Sequence, residues 1–358
     1  MSHPPASPPP RRPPRITVVG PGAVGATLAG AFAASGAEVS LLGRPGPHLD
    51  AIAAQGLLLR GRNTEVGRET GVGREMEVET RHRFPTAYDA GRLPVPDLAV
   101  VCVKSLHLLP AARSIRTWLN QHGTDVLVVA NGVPWWLPST VERAGEDPVL
   151  RSVDLDGELL RLLPAERLMS GVAHFSSAVE GPGRVTHLSG DRLIIGDPAG
   201  GISDRVHRCA AALSAGPVRP EPSADIRRDV WEKLLGNVNL NPVSALTGAT
   251  VLDILDDPDV RHVCAAMFDE TAAVGTALGI ESAMTADDRL DIARKLGAFR
   301  TSMLQDADRG RPLELDAIIG AVRELARRTG VPSPSLDAMH GLLALRERVR
   351  GHGETSDS

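Results

Sequence analysis

Cysteine is scarce in this chain. Cys102, Cys209 and Cys264 are widely separated in 358 residues, with no CxxC pair and no His/Cys cluster at metal-ligand spacing. That excludes a dense disulfide framework and gives no structural zinc signature, the pattern of a reduced, cytoplasmic protein. Long apolar runs are also missing. None approaches the roughly 20 residues of a membrane span. A formal net charge of −5 gives no reason to expect nucleic acid or another polyanionic partner. The opening residues 1–14, MSHPPASPPPRRPP, lack the apolar centre of a signal peptide and read as a disordered tail, as do residues 349–358.

Lysine is scarcer than any other charged residue. Of 39 Lys and Arg, only Lys104, Lys233 and Lys295 are lysine, against 36 arginines. Arginine does not give up its proton in a protein, whereas lysine can. A lysine retained in such a chain is therefore a functional flag. Asparagine occurs six times, at 63, 120, 131, 237, 239 and 241.

The first half carries a nucleotide-binding pattern. RITVVG (15–20) is a β-branched run, followed by GPGAVG with Gly20, Gly22 and Gly25 at G-x-G-x-x-G spacing. A helical segment and a second strand, AEVSLLGR, come next. Strand, glycine turn, helix and strand are the context in which this spacing means a dinucleotide. The glycines allow a tight turn, and the first helical residues, Ala23, Val24 and Gly25, bring backbone N–H groups to a pyrophosphate. The second strand ends in Gly43-Arg44 with no carboxylate, which suits a 2′-phosphate and favours NADP(H). DLAVVCVKS (97–105) and DVLVVANGVPWW (125–136) are further buried strands. Gly20, Arg44, Lys104 and Asn131 all fall at carboxyl ends of strands, where open parallel sheets bind ligands. Residues 60–83 are polar and repetitive, the pattern of an exposed hairpin or long loop. Residues 167–198 read as antiparallel hairpins, with His174 and Ser176 either lining the cleft or serving as ordinary strand residues.

From about Ser223 the pattern is helical. The expected organisation is an α/β Rossmann-type domain with a mostly parallel sheet (15–222), then an all-α domain (223–348). In WEKLLGNVNLNP (231–242), Lys233, Asn237 and Asn241 recur every four residues and draw a polar stripe along a helix. Trp231, Leu234, Leu235 and Val238 fall on the opposite side. Pro242 removes the donor that Val238 would meet, so a kink is expected there.

In order, the glycine turn, VCVKS, ANGVPWW, WEKLLGNVNLNPVSALTG, TSMLQDADRG and ELDAIIG resemble the ketopantoate reductase family, over about residues 15 to 340. The resemblance implies NADPH-dependent reduction of a 2-keto acid in a cleft between the two domains. Residue by residue, it implies Lys233 as general acid, Asn237, Asn241 and Ser302 as substrate-binding residues, and Glu314 at the nicotinamide end. It places Arg44 and Lys104 on the 2′-phosphate side, and Asn131 near nicotinamide and substrate. A positioned ammonium can stabilise the charge that hydride addition leaves on a ketone oxygen and donate the proton. Glu314 could hold that ammonium or bind a hydroxyl. Asp306 reads as structural.

The sequence departs from the family at Phe299, where an asparagine is usual, and in TGATVLD after the NP helix, where another is missing. His107 stands where a glutamine is common. Retained chemistry with a more apolar pocket leaves open a less polar ketone from a specialised pathway. A non-catalytic NADP(H)-binding sensor is the remaining alternative. Exposed apolar helix faces would make a homodimer unsurprising.

Overall fold

A computed structural model describes residues 12–66, 73–121, 123–141 and 147–356. Most of the expected N-terminal tail and the centre of the polar 60–83 stretch therefore lie outside the described residues. Ten strands form one sheet: β1 (Arg15–Val19), β2 (Glu38–Leu42), β3 (Leu57–Val66), β4 (Gly73–His82), β5 (Thr86–Ala87), β6 (Leu98–Val101), β7 (Asp125–Val129), β8 (Leu168–Gly181), β9 (Arg184–Gly196) and β10 (Arg219–Ser223). The helices are α1 (Ala23–Ala34), α2 (Pro47–Gln55), α3 (Leu108–Gln121), α4 (Glu158–Leu162), α5 (Asp204–Ala211), α6 (Ile226–Thr247), α7 (Val251–Asp256), α8 (Pro258–Ala277), α9 (Ala286–Lys295), α10 (Ser302–Asp308), α11 (Ala321–Thr329) and α12 (Pro334–Ser356). A π-helical turn, Asp316–Gly320, leads into α11.

The sheet order is β4-β3-β9-β8-β7-β6-β1-β2-β5, with β10 on β9. From β8 to β5 every neighbouring pair is parallel. The β8–β9 and β3–β4 pairs are antiparallel hairpins. The parallel strands are near-continuous apolar runs because helices cover both faces. Alternate residues then serve opposite cores. Ile16, Val18, Leu41 and Val100 pack with Leu28 and Phe32 of α1. Val19, Leu42, Val101 and Val128 join a second core that continues through Trp135 and Trp136 to Trp231, Phe268 and Leu325 of the helical half. One hydrophobic core thus crosses from the sheet into the helices.

The chain passes from β1 outward to β2, then returns to β6 on the other side of β1. That reversal opens a crevice at the carboxyl ends of β1 and β6. The α6 helix positions the other wall. Trp231 is 1% exposed and packs so closely on α8 that a Cβ at Gly275 would lie 2.3 Å from its indole nitrogen. Burying a side chain of this size contributes roughly 3 kcal/mol. The helix runs on through Pro242 to Thr247. In that stretch the buried Asn239 turns its Oδ1 to accept from the Leu240 N–H (2.8 Å).

At the amino end, Arg12 is tied to Asp97 at 2.6 and 2.9 Å. At the other end, α12 remains helical to Ser356, beyond the point where the sequence suggests a loose tail. Gly351 and Gly353 weaken the helical pattern there without ending it. Among the described residues no helix is long and apolar enough to cross a membrane.

Candidate active site

Four strand ends build one side of the cleft. Gly20, Arg44, Lys104 and Asn131 stand one to three residues past β1, β2, β6 and β7, which lie side by side in the sheet. Gly20 has φ +85°, and a Cβ on it would meet Val103 at 2.4 Å. A Cβ on Gly25 would lie 2.3 Å from the Gly20 carbonyl oxygen, so only glycine lets α1 start this close to β1. At Gly22 a Cβ would find no atom within 4 Å. Gly22 also caps α1 without a side-chain hydrogen bond, leaving the first-turn N–H groups of Ala23, Val24 and Gly25 aimed at open space. The cradle therefore fits a pyrophosphate. Arg44 is exposed beside it.

Lys104 reaches the helical half. Its Nζ pairs with Asp306 Oδ2 at 2.7 Å, with Pro312 O at 3.5 Å. The next residue makes a second link, where the Ser105 N–H donates to Glu314 Oε1 at 2.8 Å. Burial pushes the Glu314 carboxyl above its ordinary pKa, opposed by the Ser105 hydrogen bond and by Lys104. A third link is backbone to backbone. The Val133 N–H donates to Ala317 O at 2.8 Å, and a Cβ at Gly132 (φ +84°) would lie 2.5 Å from the same oxygen. Asn131 sits beside this contact, in a narrow cavity lined also by Ser105, Ser170 and Val230 of α6.

The α6 stripe forms the facing wall. Lys233 Nζ donates to Ala173 O of β8 at 2.7 Å. The residue is half-buried, its ammonium is enclosed against β8, and burial pushes its pKa down to about 8. The Glu314 charge acts in the opposite, raising direction. The two side chains make no direct ion pair within 4.0 Å, so the ammonium is held by a backbone carbonyl and not by Glu314. Next to it, His174 is pushed down to about 4, by desolvation first and then by the Lys233 charge. Asn237 is half-buried and Asn241 is 6% exposed, and neither amide has a partner among the described residues. Ser302 opens α10 and is exposed, while Thr301 before it caps that helix. The helix α10 packs on α6.

The sequence-predicted residues come from both halves, and the contacts of Lys104 with Asp306 and of Ser105 with Glu314 join the two. Two partnerships were not legible. Asp306, read as structural, holds Lys104. The Ser105 backbone N–H holds Glu314, 209 residues away in sequence, and a backbone group leaves no signature.

A Rossmann-type sheet with this glycine cradle, closed by a helical half carrying an enclosed lysine, defines a two-domain oxidoreductase. Residues 16–200 match the family described as Ketopantoate reductase PanE/ApbA, and residues 225–347 match its C-terminal domain, so the chain belongs to the ketopantoate reductase family. A 2-dehydropantoate 2-reductase of Mesorhizobium japonicum is 36% identical over 338 residues, 94% of this chain and 99% of the relative. One from Halobacterium salinarum is 29% identical, covering 93% and 99%. A crystal structure from Ralstonia solanacearum MolK2, provisionally named a ketopantoate reductase, superposes with TM-score 0.83 at 37% identity, covering 94% of this chain and 98% of the other.

Proposed function

We propose that the protein uses NADPH to reduce a 2-keto acid to the 2-hydroxy acid, nominally 2-dehydropantoate to (R)-pantoate, with Lys233 as general acid. The observation that carries this reading is the enclosed Lys233 ammonium among unpartnered amides. Binding alone needs no proton donor, which weighs against a sensor. The first-turn N–H groups after Gly22 would hold the pyrophosphate, and Arg44, with Lys104 released from Asp306, the 2′-phosphate. Bound there, the reduced cofactor would supply a hydride for the carbonyl carbon. Lys233 gives its proton to the carbonyl oxygen as negative charge grows there, and the resulting neutral amine is reprotonated from solvent. Asn131, Asn237, Asn241 and Ser302 orient the substrate, and Glu314 keeps the Lys233 pKa from falling further. The reading includes a cytoplasmic protein and a homodimer, for which Leu342, Leu345 and Val349 offer an exposed face of α12.

The alternative of a less polar ketone draws support from one corner of the structure. The Val251 N–H donates to Phe299 O at 3.1 Å, so the two places that lack the family's asparagines adjoin each other. The test is a panel of 2-keto acids, 2-dehydropantoate included, with NADPH or NADH consumption followed at 340 nm. Faster turnover with NADPH is expected. Binding of NADPH without consumption on any member would sink the reductase reading, and equal use of NADH would sink the cofactor assignment.

A further inference from the structure

Glycine at 236 is out of place inside α6, where it costs about 1 kcal/mol against alanine. The reason lies on α9. A Cβ at Gly236 would lie 2.0 Å from an Arg289 terminal nitrogen, 2.3 Å from Nε and 2.5 Å from Cζ. The Arg289 guanidinium therefore rests directly against the helix backbone, in room that only glycine provides. Gly236 lies one turn beyond Lys233 and immediately before Asn237. These three residues fall within roughly 100° of arc on the helix.

Arg289 has no acidic partner, although carboxylates flank it in sequence. Asp287 is taken by Arg261 at 2.7 Å, Asp291 faces that same arginine at 4.0 Å, and Asp288 caps its own helix through Thr285. Among the described residues, no hydrogen bond or ion pair is made by the Arg289 side chain. Its nitrogens are absent from the sealed, unsatisfied polar atoms, so they reach open space. His174 of β8 lies within electrostatic reach of both Lys233 and Arg289, Lys233 acting the more strongly, and also of Arg192 and Glu221.

We infer that Arg289, seated on Gly236, is a substrate-holding residue that takes a carboxylate of the substrate by its forked N–H groups. This rests on the reductase reading for the identity of the cleft and deepens it by naming the charge the substrate must carry. A guanidinium matches a carboxylate with two parallel hydrogen bonds, which no other side chain of this stripe provides. Keeping an unpaired cation in a partly desolvated place is costly, and the cost is recovered when an anion arrives. Burial lowers the Arg289 pKa, in keeping with that environment. The pocket has lost two amides at the Phe299 corner and holds a cation at the Gly236 wall. Its polarity has moved, and it now selects for charge. The carboxylate can be the one next to the reacting ketone or one at the far end of a 2-keto diacid.

The test measures binding by calorimetry to the NADP⁺-saturated protein, so no turnover is needed. The probes are 2-ketoisovalerate, its methyl ester and 2-ketoglutarate, with wild type, Arg289→Met and Arg289→Lys. Thermal melting confirms that each variant is folded. The expected result is a loss of acid affinity of roughly 10²-fold in Arg289→Met, a smaller loss in Arg289→Lys, and an unchanged ester affinity. Loss for 2-ketoisovalerate assigns the contact to the carboxylate next to the ketone, and loss confined to 2-ketoglutarate assigns it to the distal one. Equal losses for acid and ester, no loss, or no binding of any acid by wild type overturns the inference. Acid binding that depends on Arg289 without NADPH consumption upholds the carboxylate site and counts against the reductase reading alone.

Discussion

The glycine turn after β1 and the polar stripe of α6 face the same cleft from opposite domains, and they are built by opposite means. The turn works by leaving side chains out. Gly20 and Gly25 let the backbone close on itself to within a few ångströms, and Gly22 leaves the start of α1 open. The stripe works by what its side chains reach. Lys233 extends to a carbonyl on β8, while Asn237 and Asn241 hold their amides without protein partners. A backbone site tolerates almost no addition. A side-chain site is destroyed by deletion and keeps its fold.

Three substitutions sharpen that contrast. The largest expected effect is on the stripe. Lys233→Ala should lower kcat by about 10²-fold or more and leave NADPH affinity near wild type. The same residue sets a pH dependence. Only protonated Lys233 donates, and its pKa is pushed down to about 8, so wild-type kcat/KM should be level below that pH and fall above it. A profile without this limb, or a variant of unchanged kcat, would remove Lys233 from the chemistry.

Gly25→Ala reverses the pattern. Its added methyl meets the Gly20 carbonyl, and strain of about 1–3 kcal/mol should weaken NADPH binding roughly 5- to 150-fold. Turnover at saturating cofactor should change much less. Fluorescence titration of NADPH checks this, and an unchanged Kd would mean that the cradle does not hold the dinucleotide. The smallest effect belongs to Glu314→Gln. The Glu314 charge raises the Lys233 pKa, so its removal should move the alkaline limb to lower pH. A shift in the other direction, or none, would break the proposed coupling.

Legibility divides along the same line. The glycine turn could be read because its requirement is local, with spacing, strand and helix all within about 30 residues. The α6 stripe was legible because helical periodicity displays one face at a time. The architecture followed from such periodic segments, including the parallel strands and the β8–β9 hairpin. The partners were hidden. Asp306 looks like any solvated helix aspartate until it meets Lys104. Glu314 is held by the Ser105 backbone N–H, which any residue but proline would offer. Arg289 is one of 36 arginines, and its only trace in the sequence is the glycine in α6 on which it lies. Pairings between distant segments depend on how the two halves dock, and no periodicity encodes that.

The contact at Gly132 bears on how those halves can move. Side chains between two bodies act as a deformable cushion, because rotamers can change as the bodies slide. Between Gly132 and Ala317 there is almost no cushion, only main chain and the Ala317 methyl, held by the Val133 hydrogen bond. A main-chain junction of this kind resists translation across it more than rotation about it. Asn131, immediately beside it, would travel little during such a rotation. Arg44, at the end of β2 and three strands away from β7, would sweep the longer arc.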